Sequence, residues 1–453
     1  MENTISVANL LKGIPNCSCG KSHNVSIEDV IIEENAIDKL GDLINKYNYK
    51  NLFLVYDTNT HKICSDKINK SLENKGFNIN SMTYVRDYDL TPDERAISEF
   101  IENFNPKQDE FIIAAGSGVI NDICKYVSYK LNKEYMVVAT APSMDGYASN
   151  VSALTLNNLK VTYPASLPKA ILADVSILKD APYKMILAGF GDIMGKFSAL
   201  KDWRLGQLVN NEYVCEEVYN LVNFSINNVL KEAQNIKNRN ILGIKSLMDS
   251  LVLSGIGMAF IGNSRPASGS EHHLSHYIEI QSLLGNFEIP SHGEKVACGT
   301  VLTQRLRERL VKTNKELEES KEYKFSIENW KNDVLNKYKG ASHEIFNLSE
   351  KNDTLSEVKR LKRLNSIHAN KDKIIELLST GPSAEEIIDI YNSIELSYDY
   401  SFISHEMLKD AVLYAKEIRD RYTISHLLWD LRLLDEYSKV IPNEYYTERE
   451  LAK

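Results

Sequence analysis

Residues 110–130 read EFIIAAGSGVINDICKYVSYK: an apolar run, a Gly116-Ser117-Gly118 turn and an amphipathic stretch. The run FIIAA is unbroken, as in a strand covered on both faces, while the stretch after it repeats apolar residues every three or four positions, as a helix does. A strand that turns through glycine into a helix is the opening of a βαβ crossover, which implies a parallel sheet. Glycine at that turn lets a ligand approach the backbone. The first helical turn, with Val119 and Ile120, offers free N–H groups and the positive dipole end to a phosphate. G-S-G departs from G-x-G-x-x-G, so a plain tight turn is the competing reading.

The same alternation extends to either side. NLFLVY (51–56), SMTYV (81–85), YMVVAT (135–140) and KAILAD (169–174) read as strands beside 110–116. Helical stretches at 60–75, ending at Gly76, and at 93–104, opened by Thr91-Pro92, lie between them. Residues 1–181 are therefore expected to form a doubly wound, mostly parallel, Rossmann-like α/β domain. After Asp180-Ala181-Pro182 the strand-like runs stop, and 182–453 read as an all-α domain, with helices at 212–235 and 241–261. The Lys-, Glu- and Asn-rich segment 311–375 predicts solvated helices, and 340–453 a helical C-terminal extension.

Composition narrows the function. The 453 residues are 43% hydrophobic and 25% charged, the balance of a globular protein with a large core. No uninterrupted apolar run is long enough for a membrane span, and MENTISVANLLKG lacks the layout of an export signal, so a cytoplasmic protein is expected. A net charge of −9 argues against nucleic acid as a partner. The six scattered cysteines are expected to be free thiols. Cys17, Cys19 and His23 form C-x-C-G-x-x-H, but three candidate ligands at a non-standard spacing predict an N-terminal turn ahead of a metal site.

Two loops flank the glycine turn. Thr140 leads into Ala141-Pro142-Ser143-Met144-Asp145-Gly146-Tyr147-Ala148-Ser149 at the carboxyl end of a predicted strand, where doubly wound sheets bind ligands. Asp57 ends NLFLVY and is placed either to accept from a ribose or to cap the next helix. Farther along, Gly189-Phe190-Gly191-Asp192-Ile193-Met194-Gly195-Lys196 sets a carboxylate and an amine four apart, on one face if helical. Ser270-Glu271-His272-His273-Leu274-Ser275-His276 sets His272 and His276 on one helical face, and Ser291-His292-Gly293-Glu294 starts another helix on a histidine. One carboxylate with two imidazoles suits zinc, nickel or ferrous iron and leaves coordination open for substrate oxygen.

At these residues the sequence resembles the superfamily of dehydroquinate synthase, glycerol dehydrogenase, iron-containing alcohol dehydrogenases and glycerol-1-phosphate dehydrogenase. The combination T-A-P-S-M-D-G-Y-A-S, G-D-I-M-G-K and S-G-S-E-H-H-L-S-H-Y is similar to the longer bacterial glycerol-1-phosphate dehydrogenases, as are the early C-x-C-G-x-x-H and the late Ile418-Arg419-Asp420-Arg421-Tyr422-Thr423. The resemblance implies a dehydroquinate synthase-like fold, a homodimer or larger homo-oligomer, NAD or NADP as cofactor, and one divalent metal ion. It implies Asp192, His272 and His292 as metal ligands, with Asp145, Asp192 and His276 at the substrate. Gly116, Ser117, Gly118 and Asp122, with Lys125, match its pyrophosphate turn, and Thr140, Ala141, Pro142, Ser143 and Ser149 its cofactor contacts. The implied reaction interconverts dihydroxyacetone phosphate and sn-glycerol 1-phosphate. A phosphomonoester needs cations, and Lys196 and Arg265 are nearest in sequence to the ligands. Two relatives compete. Dehydroquinate synthase normally has glutamate at the Asp192 position, and an alcohol dehydrogenase needs no phosphate cations. A catalytically dead homologue is the reading from another class.

Overall fold

The computed structural model describes residues 5–156, 159–285, 287–321 and 325–451, with side chains at 159–161 and 445–451 left aside. It divides into two compact units, one of residues 1–193 and 216–264, the other of 194–215 and 265–453.

In the first unit, strands β1 (Asp29–Glu33), β2 (Asn51–Asp57), β3 (Asn78–Tyr84), β4 (Phe111–Gly116), β5 (Glu134–Ala139) and β8 (Ala170–Asp174) form one sheet in the order β1-β8-β5-β4-β2-β3. Every pairing in it is parallel. Helices α1 (Thr58–Leu72), α2 (Glu94–Asn103) and α3 (Gly118–Leu131) carry the crossovers. The central strands are buried along most of their length, β4 at all six positions, which is why they are legible as apolar runs. Edge strands were less so. β3 starts three residues before the expected SMTYV because Asn78, Ile79 and Asn80 face solvent, and β1 was not foreseen at all. An antiparallel hairpin, β6 (Val151–Leu156) with β7 (Leu159–Pro164), was also missed.

Compact packing divides the chain differently from the change of pattern at residue 181. Helix α4 (Tyr183–Asn210) contributes to both units, while α5 (Glu216–Lys231) and α6 (Ile241–Ile261) belong with the sheet. By length and a mean hydropathy of 1.5, α6 resembles a membrane span, but 78% of that window is buried inside the fold. It is a core helix. It packs on α5, where a Cβ on Gly257 would stand 3.2 Å from Val222 Cγ2 and 3.4 Å from Val218 Cγ1.

The second unit is helical. Helix α7 (Ser270–Gly285) packs on α8 (His292–Thr313), and the chain after residue 325 adds further helices. These are not uniformly solvated as the composition of 311–375 suggested, since Trp330, Val334, Leu364, Ile367 and Ile374 are buried. The second half of α4 is tied to α7 by Asp202, which is fully buried. Its Oδ2 accepts from Ser270 N at 2.7 Å and Ser270 Oγ at 2.6 Å, and its Oδ1 accepts from Arg307 Nη2 at 2.8 Å and Ile424 N at 3.0 Å. Removing this carboxylate leaves the buried Arg307 guanidinium without its counter-charge. Asp202→Ala should therefore lower unfolding stability by about 3–5 kcal/mol. Urea unfolding checks this, and a loss under about 1 kcal/mol would contradict it.

Candidate active site

The sheet's topology fixes where a ligand fits in the first unit. From β2 the chain crosses to β3 on one side, and from β4 to β5 on the other, so the carboxyl ends of β2 and β4 flank the switch point. Asp57 ends β2, and Gly116-Ser117-Gly118 joins β4 to α3. Ser117 precedes α3 without capping it through its side chain, so the N–H groups of the first turn point to the crevice uncovered by that hydroxyl. Asp57 does cap α1: its Oδ1 accepts from Asn59 N and Thr60 N, both at 2.8 Å. The capping reading of Asp57 is thus realised, at the mouth of the same crevice.

The loop 140–149 is held firmly. Thr140 N donates to Gly116 O at 3.2 Å, and Tyr147 Oη donates to Ala141 O at 2.6 Å. Helix α4 approaches so closely that a Cβ on Gly189 would stand 1.9 Å from Pro142 O, so only glycine fits there. Lys125 is fully buried and donates to Gly146 O at 2.6 Å, Val151 O at 3.0 Å and Ser149 Oγ at 3.1 Å. Burial pushes its pKa down, against the pull of Asp122. Lys125 and Ser149 therefore brace the loop. The Asp145 N–H donates to Asp192 Oδ2 at 3.0 Å, and Asp145 Oδ2 accepts from Ser254 Oγ at 2.9 Å. Asp145 and Asp192, far apart in sequence, are brought together.

In the second unit three histidine rings gather. Ring centroids of His272 and His292 are 5.2 Å apart, those of His276 and His292 5.7 Å, and those of His272 and His276 6.1 Å. Two elements achieve this. His272 and His276 are one turn apart on α7, and His292 opens α8, whose start is fixed by Ser291 and Glu294 through Ser291 N–H and Oγ–H donating to Glu294 Oε2 at 2.9 and 2.6 Å. Carboxylates orient each ring. His272 Nδ1 lies 2.7 Å from Glu271 Oε1, His276 Nδ1 2.9 Å from Glu279 Oε2, and His292 Nδ1 3.3 Å from Glu279 Oε1. A carboxylate accepts, so the Nδ1 atoms carry the protons and the Nε2 atoms keep their lone pairs. Although burial opposes it, the donors His272 and Gly269 N–H hold Glu271 below the ordinary carboxyl range. His272 and His292 present ligand atoms within 4.8 Å of each other. Glu279, which also meets Lys295 Nζ at 3.5 Å, had no signal in the sequence beyond its place one turn after His276.

Helix α4 reaches the same rings. A Cβ on Gly195 would stand 3.8 Å from His272 Cε1 and 2.4 Å from Val296 Cγ1, so glycine permits this approach. Lys196, the next residue, is fully buried. Arg265 is not available as a phosphate cation. Its Nε and Nη2 donate to Glu212 Oε1 and Oε2 at 2.7 and 2.9 Å, and Nη2 also donates to Tyr422 O at 2.6 Å. The sequence neighbourhood misled because Arg265 lies before α7 and turns away to anchor it. A cation that sequence proximity does not point to stands by His276: Arg419 Nη2 is 3.3 Å from His276 Nε2. Arg419 and Arg421 are half-buried, and the loss of solvent pushes both below their ordinary pKa. Burial likewise pushes His276 down to about 3, so its ring is neutral. His273 is buried with neither ring nitrogen hydrogen-bonded among the described residues, and burial and the charges of His426, Arg421 and Arg419 push its pKa well down.

Comparison with known proteins identifies the family and the fold. The sequence profile of iron-containing alcohol dehydrogenase matches residues 31–182. Glycerol-1-phosphate dehydrogenase (NAD(P)+) of Halalkalibacterium halodurans is 28% identical over 91% of this chain and 95% of its own length. The enzyme of that name from Bacillus licheniformis is 33% identical over 65% of this chain and 74% of its own. Among solved structures, a probable glycerol dehydrogenase from Sinorhizobium meliloti aligns with TM-score 0.58 at 14% identity, covering 91% of this chain and 98% of its own. A 1,3-propanediol oxidoreductase aligns with TM-score 0.59 at 13% identity, covering 91% and 98%. The structural neighbours establish the fold, the dehydroquinate synthase-like arrangement of a parallel α/β unit followed by helices. Being 33% identical over a stretch that covers 74% of the Bacillus licheniformis enzyme, the chain belongs to the glycerol-1-phosphate dehydrogenase family.

Proposed function

We propose that this chain is a cytoplasmic NAD(P)-dependent oxidoreductase that reversibly reduces dihydroxyacetone phosphate to sn-glycerol 1-phosphate. The observation that carries the reading is the gathering of His272, His276 and His292, each with Nδ1 taken up by a carboxylate, beside the half-buried Arg419.

One divalent ion, zinc, nickel or iron, fits a set of Asp192, His272 and His292. Both imidazoles turn Nδ1 to a carboxylate, the orientation in which Nε2 serves as a metal ligand, and Asp192 lies one turn before Gly195 on α4, on the helical face that meets His272. When bound, the ion polarises the substrate's carbonyl oxygen while the nicotinamide supplies hydride to its carbon. The protein's part is positioning. Ser254 and the Asp145 N–H hold the two carboxylates in register, and Asp145 and His276 face the substrate's hydroxyl end. At the switch point, Gly116, Ser117, Gly118, Val119 and Ile120 would hold the cofactor's pyrophosphate. Asp57, Asp122 and the loop from Thr140 through Ala141, Pro142 and Ser143 to Ser149 flank it. Lys196 and Arg419 take the phosphate, with Arg421 adding positive potential behind it. A dianion there compensates charges whose burial is otherwise unfavourable.

The deciding experiment is steady-state oxidation of NADH and NADPH with dihydroxyacetone phosphate and with dihydroxyacetone, with metal content measured on the same protein. Phosphorylated substrate should be strongly preferred, and a preference for dihydroxyacetone would overturn the assignment. His272→Ala should lose both active-site metal and turnover, whereas full turnover in that variant would remove the ion from the reading.

Arg419→Met and Arg265→Met should behave differently. A charge-assisted hydrogen bond contributes about 1.5–3 kcal/mol, so Arg419→Met should cut kcat/KM for the phosphorylated substrate roughly ten- to a hundredfold and barely touch that for dihydroxyacetone. Arg265→Met should lower stability and leave the ratio between the two substrates unchanged. Identical ratios in both variants would move the phosphate away from Arg419.

Gly118→Val tests the cofactor end. A Cβ there already meets Met144 Sδ at 3.4 Å, so the valine methyls must enter the crevice. NADH affinity measured by fluorescence titration should fall about tenfold or more, a loss of roughly 1.4 kcal/mol, with metal content unchanged. Unaltered affinity would place the pyrophosphate elsewhere.

A further inference from the structure

The segment around Cys17 is built more firmly than a plain turn. Ile14 and His23 form an isolated antiparallel bridge, Ile14 N donating to His23 O at 2.8 Å and His23 N to Ile14 O at 3.0 Å. Inside it Gly20 N donates to Cys17 O at 2.9 Å, with Gly20 at φ +82°, a conformation glycine adopts without strain. The chain thus folds into a knuckle that sets Cys17 and Cys19 beside His23. Their ligand atoms lie within 4.8 Å of one another. Cys19 Sγ is 3.3 Å from His23 Nε2.

The orientation of His23 is the informative feature. Its Nδ1 lies 3.0 Å from Phe260 O, and a carbonyl only accepts, so Nδ1 bears the proton and Nε2 points its lone pair at the sulfurs. A backbone carbonyl behind the ring is how metal-binding histidines are commonly fixed. The ring is 2% exposed, and it also packs on the Phe260 ring with centroids 5.5 Å apart. Phe260 lies at the end of α6, where Gly257 faces Val218 in the first turn of α5. Cys215 is fully buried and immediately precedes α5, so the chain delivers a third thiol at this end of α6.

We propose that Cys17, Cys19, His23 and Cys215 bind one zinc ion in a closed, tetrahedral site of three thiolates and one imidazole. With zinc–sulfur and zinc–nitrogen bonds of about 2.3 and 2.1 Å, adjacent ligand atoms stand about 3.6 Å apart, and the Cys19–His23 contact needs to open only slightly to match. None of the six cysteines is in a disulfide, so all three thiols are available in chemical form for ligation. The knuckle's other side chains, Asn16, Ser18, Lys21 and Ser22, are polar and give it little core of its own. Four ligands leave no open position, so this ion clamps the N-terminal segment to α6 and takes no part in the redox chemistry. The site shares no residue with the set of Asp192, His272 and His292, which holds no sulfur.

Cobalt(II) substitution of the chelator-stripped, full-length protein distinguishes the two. The wild type should take up about two equivalents of metal per chain and show thiolate-to-cobalt charge-transfer absorption in the near ultraviolet. That absorption should persist in His272→Ala and disappear in the Cys17→Ser/Cys19→Ser double variant. The double variant should keep one equivalent and the wild-type NADH oxidation rate at a lower melting temperature. A wild-type spectrum without the thiolate band overturns the proposal, whether or not the double variant folds. So does a band lost in His272→Ala, or a thiol titration that finds two of these cysteines oxidised to a disulfide. Loss of turnover on dihydroxyacetone phosphate in the wild type, with the band intact, would count against the proposed reaction alone.

Discussion

A buried carboxylate at Asp202 gathers donors from three separate stretches of chain: Ser270 at the start of α7, Arg307 in α8 and Ile424 near the C-terminus. Taking a charge from water is costly, and it is tolerated here because both oxygens are fully used and a guanidinium balances the charge. The consequence is geometric. With Ser270 fixed against α4, the first turn of α7 has one position and one rotation about its axis, and His272 and His276 follow from helical geometry. Arg307 fixes α8 in the same way, and with it the level at which His292 enters.

Around that frame the site repeats one device. A catalytic-looking nitrogen is never left to orient itself. Glu271 holds His272, and Glu279 holds both His276 and His292 while meeting Lys295. One carboxylate shared by two rings couples their tautomers, so each directs Nε2 inward. In the other unit Lys125 plays the corresponding part for the loop 140–149, giving its donors to backbone carbonyls and Ser149.

The C-terminal helices are part of this architecture and not an appendage. Tyr422 O receives Arg265, Arg421 Nη1 donates to Ser268 O at 3.0 Å, and Arg419 reaches His276. Asp430 secures the segment through paired bonds from Arg363 at 2.8 and 2.7 Å and one from Tyr422 at 2.7 Å. The family relative from Halalkalibacterium halodurans, which aligns over nearly all of its length, shares this extent.

What the sequence determined by itself was whatever depends on neighbours along the chain. The buried strands β2, β4, β5 and β8 are legible because both faces are covered and their central residues form unbroken apolar runs. The glycine turn, the helical pairing of His272 with His276 and the start of α8 at His292 are likewise local. Edge strands β1 and β3 and the β6–β7 hairpin escaped, since strands half in water carry a weak apolar pattern. Only the tertiary structure could decide partners. Arg265 and Arg419 are alike as residues, and sequence proximity favoured the first. Folding gave Arg265 to Glu212 and brought Arg419, 143 positions away, to His276. Cys17, Cys19 and His23 offered too few ligands to weigh as a metal site until His23 was seen to be oriented by Phe260, 237 positions distant. A charge or a lone pair acts over a few ångströms of space, and distance along the chain does not measure that.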